Sequence, residues 1–288
     1  MIHEVAKEAL LSGGQRLAYY AGRLTAELRM TPQFLICGAQ RCGTTSMYQA
    51  LRQHPAVMRP VMRKGVHYFD VDYARGMRWY RAHFPLNAAA QLRQRRHASP
   101  VMTFESSPYY LFHPLAAERI AADLPDVKIL IMVRDPVERA YSAHAHELAR
   151  GFETEPFERA LELEDSRLAG EEERLIAHPT ARSESYQHHA YVRRGCYIDQ
   201  ILRMVAAMGH DRVCVIDAGD FFADPLDGWR VVTDFLRLDD ARIPVFGRYN
   251  ARPRSAMPAS VRRFLEQRFE DSDARLARWW DRVPSWRR

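Results

Sequence analysis

The sequence predicts an α/β fold in which helices cover both faces of a parallel sheet. Three segments carry that expectation: Phe34-Leu-Ile-Cys37, Val127-Lys-Ile-Leu-Ile-Met-Val133 and Val213-Cys-Val-Ile216. Each is largely apolar without alternation, as expected of a strand buried on both faces. Each also adjoins a stretch with helical spacing, so strands and helices alternate along the chain.

Taken in order, residues 1–30 read as a helix, with Leu17, Tyr20, Ala21, Leu24 and Leu28 on one apolar face. It should stop before Thr31-Pro32, because the residue preceding proline is pushed out of the helical region. Packing against the domain is the expected use of this face; its basic amphipathic character leaves peripheral membrane contact as the alternative. The first strand runs into Gly38-Ala-Gln-Arg-Cys-Gly-Thr-Thr-Ser46 and then a helix from Met47. The second strand runs into Arg134-Asp-Pro-Val-Glu and another helix. A helix from Ile198 to Met208 precedes the third strand. No repeat or linker divides the chain, so residues 1–288 are expected as a single domain. Residues 165–190, polar and acidic, are expected as a mobile excursion. Residues 260–288 are expected as an arginine-rich helix burying Phe264, Phe269, Leu276 and Trp279.

Composition narrows the function classes. A chain of 288 residues, 47% apolar and 27% charged, can bury a substantial core and is neither collagen-like nor disordered. Its longest aliphatic run, Ile129-Leu-Ile-Met-Val133, is far short of the roughly 20 residues that span a bilayer. Glu4, Lys7 and Glu8 interrupt any signal-peptide core. Forty-two Lys and Arg against 36 Asp and Glu give a net charge of +6, which favours an anionic ligand without calling for nucleic acid. Only Lys7, Lys64 and Lys128 are lysines, so each lysine in this arginine-biased chain is informative. Cys37, Cys42, Cys196 and Cys214 lack zinc-ligand spacing and are expected reduced, in the cytoplasm.

The first strand–loop–helix is an anion site by construction, since backbone N–H groups and a helix N-terminus converge on one point. Thr44, Thr45 and Ser46 add hydroxyls and Arg41 adds a cation. A Walker A loop would carry Lys and then Ser or Thr after Gly43, where Thr44 and Thr45 stand. A Mg²⁺-dependent P-loop kinase or NTPase is therefore the weaker alternative.

The loop, comprising Arg41, Cys42, Gly43, Thr44, Thr45 and Ser46, resembles the 5′-phosphosulfate loop of sulfotransferases that use 3′-phosphoadenosine 5′-phosphosulfate (PAPS). Arg134-Asp-Pro-Val-Glu-Arg-Ala-Tyr-Ser142 is similar to that family's 3′-phosphate segment, which implies that Arg134 and Ser142 hold the 3′-phosphate. An arginine fork suits a terminal phosphate that a serine can share. Lys64-Gly-Val-His-Tyr-Phe-Asp70 and Phe104-Glu-Ser-Ser-Pro-Tyr-Tyr110 resemble blocks of the heparan-sulfate-type branch. Arg193-Arg194-Gly195-Cys-Tyr197 and Asn250-Ala-Arg-Pro-Arg254 resemble its later cofactor-side elements more loosely, with Arg194 and Gly195 as the implied contacts. The likeness runs from about residue 33 to 265.

The resemblance implies a doubly wound, P-loop-like sheet and sulfuryl transfer from PAPS, without a metal, leaving adenosine 3′,5′-bisphosphate. In-line displacement resembles phosphoryl transfer, where positioning and charge stabilisation dominate. Arg41 would stabilise the transferring sulfonate where many members carry lysine. The general base is less determined. The branch often places a glutamate after the Lys64 position, and here stands Gly65. His67 and Glu105 are the two candidates, the imidazole because it titrates near neutrality. Lys64 is expected near the bridging oxygen or the acceptor. His144, His146, His188 and His189 lack partners at metal-ligand spacing. Trp79 and Tyr80 are expected in the core, while Tyr109 and Tyr110 could stack a sugar ring. The expected acceptor is a carbohydrate, lipid or small-molecule hydroxyl or amine. A non-catalytic binder of a phosphorylated nucleotide or acidic glycan remains the non-enzyme alternative, because of Gly65. Oligomeric state is not legible.

Overall fold

The computed structural model describes residues 21–97, 100–239, 242–247, 249 and 256–288. Five strands form one parallel sheet: β1 (Phe34–Gly38), β2 (Val57–Met58), β3 (Met102–Ser106), β4 (Lys128–Val133) and β5 (Val213–Asp217). Their order is β2-β3-β1-β4-β5. Phe34 pairs with Phe104 of β3 on one side and Lys128 of β4 on the other. All of Phe34 to Cys37 and Ile129 to Val133 are fully buried, which is why these strands read as unbroken apolar runs.

The helices that begin and end among the described residues are, in chain order, α1 (Thr44–Leu51), α2 (Met77–Arg81), α3 (Asn87–Gln94), α4 (Ala116–Asp123), α5 (Pro136–Leu148), α6 (Phe157–Leu168), α7 (Glu171–Ala177), α8 (Glu184–His188), α9 (Tyr197–Met208), α10 (Ala218–Ala223), α11 (Pro225–Leu236) and α12 (Ala259–Trp280). The chain runs from β1 through β2 to β3 on one side of β1, then places β4 and β5 on the other. The sheet is thus doubly wound, and its order reverses beside β1. Ligands in such sheets bind in the crevice outside the carboxyl ends of the strands at that reversal. Proline and an aspartate cap start α5: Pro136 stands at its first position, and Asp135 Oδ1 accepts from the Val137 N–H at 2.9 Å.

Three expectations change. Residues 165–190 are not an open excursion but fold into the end of α6, α7 and α8. Leu168, Leu175 and Tyr186 pack against Tyr109 and Phe112, burying an apolar stripe that the acidic composition hides. On α12 the buried residues include Val261, Leu265, Phe269 and Leu276, while Phe264 is half exposed. A stripe through positions 261, 265 and 269 steps by one helical turn, and Phe264 falls off it. Near the N-terminus, Ala26–Leu28 is a short 3₁₀ turn with Ala26 buried, whereas Leu24 and Leu28 are exposed. Leu17 and Tyr20 lie outside the described residues, as do positions 250–255 and with them Asn250-Ala-Arg-Pro-Arg254. Trp79 and Tyr80 are core residues as expected.

Candidate active site

A cavity of about 770 Å³ opens over the carboxyl ends of the strands and is floored by the loop between β1 and α1. That loop turns sharply: Arg41 has φ 69° and Gly43 has φ 87°. A β-carbon at position 43 would sit 3.0 Å from the Phe222 ring, so glycine answers both the backbone angle and the space there. Thr44, Thr45 and Ser46 follow as the first turn of α1, where free N–H groups and the helix dipole favour an anion. Arg41, Cys42 and all four residues Gly43 to Ser46 line the cavity.

The two phosphate-type segments are joined directly. Arg41 Nε donates to Ser142 Oγ at 3.0 Å, and Arg134 Nη1 donates to the Arg41 carbonyl at 3.1 Å. The Tyr197 hydroxyl donates to the Arg134 carbonyl at 2.9 Å and lies 3.5 Å from Cys42 Sγ. Glu138, one turn into α5, lies 3.9 Å from the Arg134 guanidinium. Arg134 is therefore held by Glu138 and the loop, not by Asp135, whose carboxylate caps α5.

Lys64 enters from the segment before β3. Its Nζ donates to Thr45 Oγ1 at 2.9 Å, and burial lowers its pKa to about 8. Just beyond it, a β-carbon on Gly65 would fall 2.6 Å from the Ser106 carbonyl oxygen, so this backbone has no room for a glutamate. His67 lines the cavity with φ 59°, and its main-chain N–H donates to Ser107 Oγ. Its Nδ1 lies 2.7 Å from Oδ2 of buried Asp70. Burial alone would lower the imidazole pKa; the charge and hydrogen bond of Asp70, with the charge of Glu105, outweigh it and raise the group above its ordinary value.

Glu105 does not reach the cavity. It is fully buried on β3, where Oε2 accepts from the Val66 N–H (2.7 Å) and Ser107 Oγ (2.6 Å). Its Oε1 accepts from the hydroxyls of Tyr110 (2.6 Å) and Tyr80 (3.2 Å). Four donors occupy the carboxyl, and burial raises its pKa against them. The base role expected of it is therefore replaced by a structural one. Gly195 also stays outside the cavity: its α-carbon packs against Phe269, where a β-carbon would come within 2.6 Å of the ring. Arg194 does line the wall, but its Nη groups are engaged by Gln40 Oε1 and the Tyr186 and Gln187 carbonyls. It holds the loop by Gln40 and stacks on Tyr109 and Phe112.

His146 of α5, Arg150 beyond it and His188 of α8 also line the cavity, and Arg150 lies 3.5 Å from Glu147. Glu147 is buried; its Oε2 lies 2.9 Å from His188 Nδ1, and its Oε1 accepts from Gln40 Nε2. Burial would raise the Glu147 carboxyl, but the His188 contact outweighs it and keeps the pKa low. His144 and His189 bond to the Glu155 and Phe152 carbonyls, and among the described residues no cluster of three His, Cys, Asp or Glu is placed to hold a metal. Phe222, Tyr249 and Ser285 also line the cavity, and no motif marks them in the sequence; none marks Asp70 as the partner of His67. Only the spacing of Asp70, three residues after His67, was available as a signal.

A family model described as a sulfotransferase domain matches residues 31–243. The chain belongs to the sulfotransferase family. Its fold agrees with a solved sulfotransferase from Alicyclobacillus acidocaldarius at 31% identity and a TM-score of 0.65, covering 90% of this chain and all of that one. Human heparan sulfate glucosamine 3-O-sulfotransferase 6 is 36% identical over 122 residues, 42% of this chain and 32% of that protein. Mouse heparan sulfate glucosamine 3-O-sulfotransferase 5 is 27% identical over 225 residues, 77% of this chain and 57% of that protein. The sulfotransferase thus matches about a third to somewhat over half the length of these two relatives. No described helix is long and apolar enough to cross a membrane.

Proposed function

We propose that this sulfotransferase moves a sulfuryl group from PAPS to a hydroxyl of an acidic carbohydrate, with His67 as general base. The observation that carries the donor assignment is the junction of Arg41, Ser142 and Arg134, which brings a 5′-type and a 3′-type phosphate segment to one cavity. The residues fit such a donor: a positive-φ glycine turn, three hydroxyls, two guanidiniums and a cavity of about 770 Å³. When bound, PAPS supplies an activated sulfuryl group with a phosphate leaving group.

The chain's own residues do the rest. Thr44, Thr45 and Ser46 bind the 5′ end, Arg134 and Ser142 bind the 3′-phosphate, and Arg41 lies between the two. Protonated Lys64 offers Nζ–H donors where negative charge develops, beside Thr45. Asp70 accepts the Nδ1–H of His67, which selects the tautomer with its lone pair on Nε2 and stabilises the imidazolium formed when Nε2 takes the acceptor proton. Arg150 on the cavity wall offers a fixed cation to an anionic acceptor, and the two heparan sulfate relatives support a sugar. The proposed compartment is the cytoplasm, where the chain's four free cysteines would stay reduced.

The test combines binding and turnover. Adenosine 3′,5′-bisphosphate should bind without Mg²⁺, and Arg134→Ala should weaken it by about 10–100-fold, the worth of a charged hydrogen bond, while leaving ADP unchanged. Radiolabelled donor should label N-sulfated heparan oligosaccharides and not neutral dextran. Equal binding of ADP with Mg²⁺ would refute the donor, and labelling of dextran alone would refute the acidic acceptor.

A further inference from the structure

One wall of the cavity is closed by a segment well beyond the matched family region, the turn Ser285–Arg287 after α12. Ser285 lines the cavity with Ala218, Gly219, Phe222 and Tyr249. Buried Asp217, the last residue of β5, holds it twice. The Ser285 N–H donates to Oδ2 and its hydroxyl donates to Oδ1, each at 2.7 Å. The turn is anchored again by Asp273, which accepts from Trp286 Nε1 at 2.9 Å and Arg287 Nε at 2.7 Å. Arg282 and Arg288 both pair with Asp220. Ser285 is thus a positioned wall residue and not a loose end of the chain.

The direction of its proton has a chemical consequence. A carboxylate only accepts, so the single hydroxyl hydrogen of Ser285 is committed to Asp217, and its oxygen keeps only lone pairs to offer a ligand. An acceptor held this way favours an exocyclic amine and opposes an exocyclic oxo group. Sites built around such a hydrogen bond discriminate strongly, because the wrong partner leaves polar groups unpaired. The neighbours suit a planar base: Phe222 lies against Gly43 of the phosphate loop, and Tyr249, whose N–H donates to Ser46 Oγ at 3.3 Å, lies on the same stretch of wall.

Resting on the donor assignment above, we propose that Ser285 is a base-specificity residue. Its Oγ accepts from the 6-amino group of the donor's adenine and so excludes 6-oxopurine nucleotides.

Calorimetric titration with adenosine and inosine 3′,5′-bisphosphates tests this, with thermal unfolding as the check on folding. Wild type should prefer the adenosine compound by about tenfold or more, the worth of about 1.4 kcal/mol. Ser285→Ala should bring the two to within about threefold by weakening the adenosine compound, and Ser285→Thr should keep the preference. Gly219→Ala is the second variant, since its β-carbon would fall 2.2 Å from Ser285 Oγ and displace the turn. It should lose the preference as Ser285→Ala does. Equal binding of both compounds by wild type, or an undiminished preference in Ser285→Ala and Gly219→Ala, overturns the role of Ser285 and leaves the donor assignment standing. Binding of neither compound by folded wild type overturns the donor assignment and this one with it.

Discussion

Replacing Asp70 with asparagine should nearly abolish turnover while leaving the nucleotide site intact. Asp70 is buried; Oδ2 faces His67 Nδ1 at 2.7 Å and Oδ1 accepts from the Val71 N–H at 2.6 Å. In Asp70→Asn the amide oxygen keeps the Val71 bond, so the amide nitrogen faces Nδ1 and donates to it. The ring hydrogen then moves to Nε2, the atom that must accept the substrate proton. Losing a positioned general base costs about 10²–10⁴ in rate, or about 3–5 kcal/mol of barrier. Binding of adenosine 3′,5′-bisphosphate should change by less than about twofold, well under the 1.4 kcal/mol of a tenfold effect, because Asp70 touches neither phosphate segment. In wild type, turnover requires neutral His67, so activity rises as pH passes through a value above the ordinary 6.5. The variant loses the charge that raises that value, and any residual acid limb should move down. For stability the sign is the reverse of activity: a raised histidine pKa stabilises most below the unfolded value and loses its contribution as pH rises through the folded one. The difference in melting temperature between wild type and Asp70→Asn should therefore be larger at about pH 5.5 than at about pH 8. A kcat within about threefold of wild type, against the 10²-fold minimum expected, would refute the base assignment.

Further outcomes follow from neighbouring residues. Lys64, with its pKa lowered to about 8, should give an alkaline limb to kcat near that pH; Lys64→Arg, which does not titrate there, should remove the limb while lowering kcat by about 10²–10³ if the compact ammonium matters. Restoring the glutamate common in the heparan-sulfate-type branch, by Gly65→Glu, should fail to raise activity. With its β-carbon 2.6 Å from the Ser106 oxygen, it should cost about 1–3 kcal/mol, read as a lower melting temperature. Glu105→Gln should destabilise by a similar amount, because an amide cannot accept from all four donors, yet keep its acid limb of activity; loss of that limb without loss of stability would reinstate Glu105 as the base.

The legible parts of the site are those that contiguous residues make among themselves. The turn from Gly38 to Ser46 and the segment from Arg134 to Ser142 each carry strand, turn and helix in one stretch, so their residues reach the cavity wherever the sheet is assembled. The Lys64–Asp70 segment is partly of this kind, since the His67–Asp70 contact spans three residues. Glu105 misled because a carboxylate next to an active segment looks the same in sequence whether it faces solvent or four buried donors. Residues 165–190 misled because acidic composition masked the few apolar side chains that pack them.

The parallel sheet and the anion loop ahead of the first helix were legible in the sequence, because buried strands read as unbroken apolar runs and a glycine turn stands beside hydroxyl donors; the segment Arg134 to Ser142 was legible as a phosphate segment only through its likeness to the family. That Gly65 has no room for a base, that Glu105 is a structural anchor and that Ser285 returns to the cavity follows from packing and not from local spacing. The Gly65 and Ser285 contacts join atoms about forty residues or more apart, and Glu105 adds Tyr80 and Val66, 25 and 39 residues away, to its two local donors; no local spacing encodes those distant contacts.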